Sequence, residues 1–115
     1  LDYLFIDEAG QVALGTTIAN ATSAKNLVLI GDQMQLSQPI RAKHNGYARK
    51  SSLDFVLENL DTIPPEKGIF LNTTRRLNKK ICKFISDSFY ESRLNSHEVA
   101  KSRSVKLKLE PSGPD

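Results

Sequence analysis

Leu1-Asp2-Tyr3-Leu4-Phe5-Ile6-Asp7-Glu8-Ala9-Gly10-Gln11 (LDYLFIDEAGQ) decides the fold class. Its opening run, Leu1 to Ile6, is almost continuously apolar and ends in two carboxylates, the pattern of a strand covered on both faces in a parallel sheet. A second run, Leu27 to Ile30 (LVLI), also ends in polar residues, here Gly31-Asp32. The interval between the two runs, about twenty residues, exceeds the dozen or so that a parallel crossover needs. A short helix is expected near Val12 to Asn20, although β-branched Thr16, Thr17 and Ile18 disfavour it. The expectation is an α/β fold with a parallel sheet.

Working outward, Ser37 to Lys50 reads as a loop, with Pro39 and the turn-forming pair Asn45-Gly46. Ser51 can cap the helix that follows, with Asp54 three residues on and Leu53, Val56, Leu57 and Leu60 on one face. Pro64-Pro65 stops any continuation. A third strand is expected over Gly68 to Leu71 and a helix over Arg76 to Tyr90. On a helical projection Leu77, Ile81, Phe84, Ile85 and Ser88 form its core face, opposite Arg76, Lys79, Lys80 and Lys83. Val105, Leu107 and Leu109 alternate with polar residues, predicting a half-buried strand.

Ligands bind outside the carboxyl ends of the strands in open α/β sheets, and Asp7-Glu8 occupies such an end. Two adjacent carboxylates in a crevice are costly unless a cation or proton joins them. Phosphoryl transfer gives them a purpose: one carboxylate holds the hydrated Mg²⁺ and the other orients or deprotonates the attacking water. The plain structural alternative is a strand-end Asp that caps a helix with Glu in its first turn. Gly31-Asp32-Gln33-Met34-Gln35-Leu36 follows the second run, so its glycine permits a tight turn and its polar side chains enter the same crevice. The Gln35 amide can donate to a phosphate oxygen and accept from water.

Ile6 to Gln11 resembles the Walker B motif of superfamily 1 helicases, in the branch whose version reads DE-x-x-Q. Gly31 to Leu36 is similar to their GD-x-x-QL motif. Thr74-Arg75-Arg76-Leu77-Asn78-Lys79-Lys80-Ile81-Cys82-Lys83-Phe84, followed by Phe89-Tyr90-Glu91 and Leu94, resembles the start of the second motor lobe. The three motifs keep the family's order across almost residues 1 to 94. Departures are Arg75 in place of an aromatic residue, Asn78-Lys79 in place of His-Pro, and Gln38 where proline is common.

The resemblance implies part of a RecA-like P-loop NTPase sheet over residues 1–73, the carboxyl half of a first lobe, and the beginning of a second RecA-like lobe over 74–115. It implies ATP and Mg²⁺ as cofactors. Asp7 would hold Mg²⁺, Glu8 would activate water, Gln11 would line the nucleotide site, and Asp32 and Gln35 would link the γ-phosphate to the moving parts. Arg76 would reach the γ-phosphate from the second lobe, where a guanidinium offers several fixed donors to developing charge. A solvated arginine on a basic helix face is the plainer reading of that residue. The resemblance also suggests 5′ to 3′ movement, while nothing in the residues separates a DNA track from an RNA track.

A phosphate-cradling G-x-x-x-x-G-K-[ST] loop is absent from these 115 residues. That length is short for a two-lobed motor, and with Leu1 in place of an initiator Met it predicts a piece of a longer chain that shows no steady ATPase activity by itself. Hydrophobic residues at 39% and charged residues at 25% exclude a wholly disordered chain. No apolar run approaches a membrane span and the run that opens at Leu1 lacks the basic n-region of a signal peptide, so no membrane partner is expected. One cysteine, Cys82, favours a reducing compartment, cytoplasmic or, in a eukaryote, nuclear.

Net charge is +3, with two basic and four acidic residues through position 41 and fourteen basic and nine acidic beyond it. Single-stranded nucleic acid is the expected partner, along with the remainder of the motor chain. Arg41, Lys43 and Tyr47 in the loop, and Lys79, Lys80 and Lys83 on the helix, are the candidate contacts, with a merely solubilising surface as the alternative. Rival functions are a non-catalytic nucleic-acid-binding or scaffold segment of a degenerate motor, and the motor part of a helicase-nuclease fusion.

Overall fold

A computed structural model describes residues 1–36, 46–58 and 60–104. The chain divides into two compact units, Leu1–Phe70 and Leu71–Asp115. Each is an α/β unit built on a two-stranded parallel sheet.

In the first unit β1 (Tyr3–Ile6) pairs in parallel with β2 (Asn26–Leu29), in a register running from Tyr3 opposite Asn26 to Ile6 opposite Leu29. Helix α1 (Leu14–Ala21) forms the crossover, starting two residues and ending one residue later than expected, and the β-branched run lies within it. The strands are not covered on both faces as their apolar sequence predicts. Tyr3 and Phe5 are 60% and 64% exposed on one face, because period-2 alternation turns Leu4 and Ile6 the other way.

Helix α2 (Ser52–Leu57) begins in the box anticipated from sequence: the Asp54 amide donates to Ser51 Oγ at 3.1 Å, and the Ser51 amide donates to Asp54 Oδ2 at 3.2 Å. It ends at Leu57, short of Leu60, where Glu58 takes φ 58°. The start of α2 is stitched to the chain after β1. Ser52 N donates to the Val12 carbonyl at 3.0 Å and Leu53 N to that of Ala9 at 3.4 Å, while Leu14 N donates to the Lys50 carbonyl at 3.1 Å. Small residues make this approach possible: Ala9, Thr17, Ser51 and Ser52 are buried together with Leu53 and Leu57, and the hydroxyls of Thr17 and Ser52 hydrogen-bond across the two helices.

Two expectations for the chain after α2 are corrected. Gly68 to Leu71 is not a strand, and Ile69 and Leu71 are among the most exposed apolar residues of the chain. Pairing starts instead at β3 (Thr73–Thr74), which runs parallel to β4 (Asn95–Ser96). Helix α3 covers Lys79–Phe89 rather than Arg76 to Tyr90, because Asn78 Oδ1 accepts from the Ile81 amide at 3.0 Å and fixes the start.

Its buried side is also displaced from the predicted one. Cys82 and Ser86 are buried, whereas Ile81, Phe84 and Ser88 are exposed. The cause is the close approach of backbone at Leu94, whose amide donates to Ser86 Oγ at 2.9 Å and whose carbonyl accepts from the Cys82 thiol at 3.6 Å. Only small side chains leave room for that. The strand expected over Val105 to Leu109 lies outside the described residues.

Candidate functional site at the strand ends

The turns leaving β1 and β2 are in backbone contact. Ile30 N donates to the Ile6 carbonyl at 2.9 Å and Ala9 N returns a bond to the Ile30 carbonyl at 2.8 Å, carrying the ladder past the last strand residues. A Cβ on Gly10 would come 2.3 Å from the Asp32 carbonyl oxygen, and one on Gly31 would come 2.7 Å from Ala9 N. Both contacts are with backbone, which cannot swing aside as a side-chain tip can. Each glycine is therefore required by the loop opposite it, a pairing the sequence did not advertise across about twenty intervening residues.

This interlock brings Asp7, Glu8, Asp32 and Gln35 to one end of the sheet. Asp7 is exposed and its Oδ1 accepts from Glu8 N at 2.9 Å. Glu8 is exposed at φ 52°, an unusual value for a non-glycine residue that concentrates at functional turns. Its carbonyl accepts from Gln11 N at 2.7 Å, so Gln11 closes the turn through its backbone.

Asp32 organises its own loop. Its Oδ1 accepts from Met34 N at 3.0 Å and its Oδ2 from Gln35 Nε2 at 3.2 Å. Gln33, to which the sequence assigned no role, anchors the loop from behind by donating to the carbonyls of Asp61 at 2.6 Å and Leu60 at 3.3 Å. No local signal singles out Gln33, because its partners are carbonyls nearly thirty residues downstream.

Asp7, Glu8 and Asp32 are oxygen donors of the kind that suit a hard divalent cation. Among the described residues no group of three or more His, Cys, Asp or Glu converges as a protein-only metal cage. One or two carboxylates at a strand end fit an ion whose remaining ligands are water and phosphate oxygens, the usual Mg²⁺ arrangement.

Arg76 belongs to the second unit. It is exposed in the bend before α3, with its amide donating to Thr74 Oγ1 at 3.2 Å and its carbonyl accepting from Arg103 Nη1 at 3.4 Å. Asn78 Nδ2 in turn donates to the Arg103 carbonyl at 3.0 Å. Three side chains thus fix the backbone that carries the Arg76 guanidinium.

Lys79, Lys80 and Lys83 are exposed on α3. Lys83 is committed locally, through a 2.7 Å pair with Asp87, whose other oxygen accepts from Ser92 Oγ at 2.8 Å. The hydrogen bond to Asp87 raises the Lys83 pKa, and the same bond, followed by that from Ser92, lowers that of Asp87. Lys101 similarly pairs with Glu98 and lowers its pKa. Tyr47, on the short turn Gly46–Arg49, meets Phe55 edge to face with ring centroids 5.5 Å apart. Arg41 and Lys43 lie outside the described residues.

In sequence, the chain is similar to a DNA helicase. The relative is the DNA polymerase alpha-associated DNA helicase A of Schizosaccharomyces pombe, 32% identical over 102 residues that cover 89% of this chain. The matched region spans 14% of that helicase's length. No protein-family model matches the chain, and no solved structure matches it.

No helix among the described residues is long and apolar enough to cross a membrane.

Proposed function

We propose that this chain supplies the strand-end chemistry of an ATP-dependent helicase or translocase moving along single-stranded DNA or RNA. The observation that carries the reading is the interlock of Gly10 with Asp32 and of Gly31 with Ala9, which holds the DE-x-x-Q-like and GD-x-x-QL-like turns together at the carboxyl ends of adjacent parallel strands. That is where an open α/β sheet takes a nucleotide. The similarity to a helicase supports the same reading.

On this reading the first unit is part of a RecA-like lobe and the second unit opens another. Asp7 would hold Mg²⁺ through its carboxylate, and Glu8 would accept the proton of the attacking water. Gln35, held by Asp32, offers its amide to the terminal phosphate, and Gln11 lines the nucleotide. Arg76, braced by Thr74 and Arg103, presents an exposed guanidinium suited to phosphate oxygens. Bound Mg²⁺ would neutralise charge on the phosphates and orient them.

The chain lacks a phosphate-cradling lysine loop, so purified alone it turns over no ATP at a steady rate. Turnover by the chain that Glu8→Gln abolishes would contradict this. In the complete motor, Glu8→Gln and Arg76→Ala should each lower ATP turnover by roughly 10²-fold or more while nucleotide binding persists in the former. Undiminished turnover in both variants sinks the assignment.

A further inference from the structure

An open groove in the first unit is lined by Tyr47, Lys50, Phe55, Val56 and Glu58. We propose that it is a stacking site for one unpaired base of a single-stranded nucleic acid, with Lys50 meeting the phosphate beside that base. The proposal rests on the nucleic-acid reading above and assigns it a place.

Tyr47 and Phe55 stand at 84° to one another, so together they form a corner: a planar ring laid against one meets the other with its edge. Both are substantially exposed, Tyr47 at 67% and Phe55 at 43%, and Val56 lines the same groove. The Lys50 ammonium lies over the Tyr47 ring, 5.9 Å from its centroid, so a base that stacks there displaces the ammonium from the ring face and the flexible lysine stem leaves it free to meet the attached phosphate. Glu58 also lines the groove, so Lys50 is the lining residue that can meet a phosphate.

The sequence that leads into the helix carrying Phe55 is basic. From Arg41 to Leu53 the sequence contains four Lys or Arg residues and no acidic one.

The corner is also held in place before any ligand arrives. Lys50 N donates to the Tyr47 carbonyl at 3.0 Å, the Lys50 carbonyl accepts from Leu14 N at 3.1 Å, and Ser51 begins the capping box of the helix that carries Phe55. A flexible surface tyrosine would need none of these restraints. A site for stacking benefits from all of them, because little order remains to be imposed on binding.

The test is equilibrium binding of the full chain to a short labelled oligodeoxycytidylate and to an abasic strand of equal length and charge. Wild-type chain should prefer the base-bearing strand, and Tyr47→Ala should weaken that binding by roughly 5- to 150-fold, the range of one base–aromatic stack. The same variant should leave binding to the abasic strand unchanged, and Tyr47→Phe should restore the preference with a correctly folded corner.

Equal affinity for the two strands, or indifference to Tyr47→Ala, overturns the groove. If Lys79→Glu with Lys80→Glu then abolishes binding, the broader nucleic-acid reading stands without it. Failure of the wild-type chain to bind either strand removes both.

Discussion

Gly10 and Asp32 touch through their backbones so closely that a single methyl on Gly10 would lie 2.3 Å from the Asp32 carbonyl oxygen. Neither residue belongs to a strand, yet the contact decides how the two turns that follow the strands are placed.

Gly10→Ala and Gly31→Ala should each therefore destabilise the first unit by about 1–3 kcal/mol, the usual cost of forcing extra volume into closed space. Gly15→Ala is the internal control. Gly15 lies in α1 and a Cβ there meets nothing within 4 Å, so this change should raise stability by about 0.5–1 kcal/mol. Thermal unfolding of the three variants checks both signs.

Ser51→Ala removes the acceptor for Asp54 N and the donor to Asp54 Oδ2, and should cost about 1 kcal/mol. Asp54→Ala removes the reciprocal half of the box. Because both halves share one pair of residues, the double variant should lose less than the two single losses added together, which a double-mutant cycle measures.

Asn78 separates two roles by atom. Asn78→Asp keeps an oxygen for the Ile81 amide but loses the Nδ2 bond to the Arg103 carbonyl, while Asn78→Ala loses both. Stability of the second unit should fall by about 1 kcal/mol in the alanine variant and much less in the aspartate one. In the complete motor, ATP turnover should fall in both, because both release Arg103 and with it the bend that carries Arg76.

The Lys83–Asp87 pair gives a dependence on pH at both extremes. The Asp87 carboxyl is held below its ordinary range by the bonds from Lys83 and then Ser92. A carboxyl depressed on folding adds stability above its unfolded pKa, and that gain fades as pH falls below about 4. The Lys83 ammonium is raised by the same bond to Asp87, so its contribution is complete below its unfolded pKa and fades as pH climbs past about 10.4. Asp87→Asn should flatten both limbs of a plot of Tm against pH. The pair is exposed, so added salt should reduce the difference between variant and wild type.

Cys82 offers a probe of the second unit. It is buried, its thiol donates to Leu94, and burial raises its pKa. Alkylation should be slow in the native chain and should accelerate with the same midpoint as unfolding, since the thiolate is the reactive form.

The parallel pairing of β1 with β2 was legible because two apolar runs of strand length were separated by enough chain for a crossover. The start of α2 was legible for a different reason: Ser51 and Asp54 satisfy each other locally, so no distant residue has a vote. The side of α3 that is buried was not legible. Counting apolar side chains selected Ile81 and Phe84, but the helix turns Cys82 and Ser86 inward because the Leu94 backbone needs hydrogen-bond partners there, a demand set by residues well downstream. At the strand ends, both turn motifs could be read but not the reciprocal need of Gly10 and Gly31 for one another. Tyr47 was singled out as a nucleic-acid contact, while its partner Phe55 passed as an ordinary helix residue because it falls off the leucine face.

The amides of Ser52 and Leu53, which open α2, terminate on the carbonyls of Val12 and Ala9, just beyond Asp7-Glu8. Ala9 is wholly buried, so letting go of it would strand a carbonyl with no water to replace the lost partner. A displacement of the acidic turn that preserves these bonds must drag the first coil of α2 along, and Phe55 rides one residue behind Asp54 on that coil. The chain thus contains a short mechanical linkage, a few peptide units long, from its carboxylates to its aromatic corner.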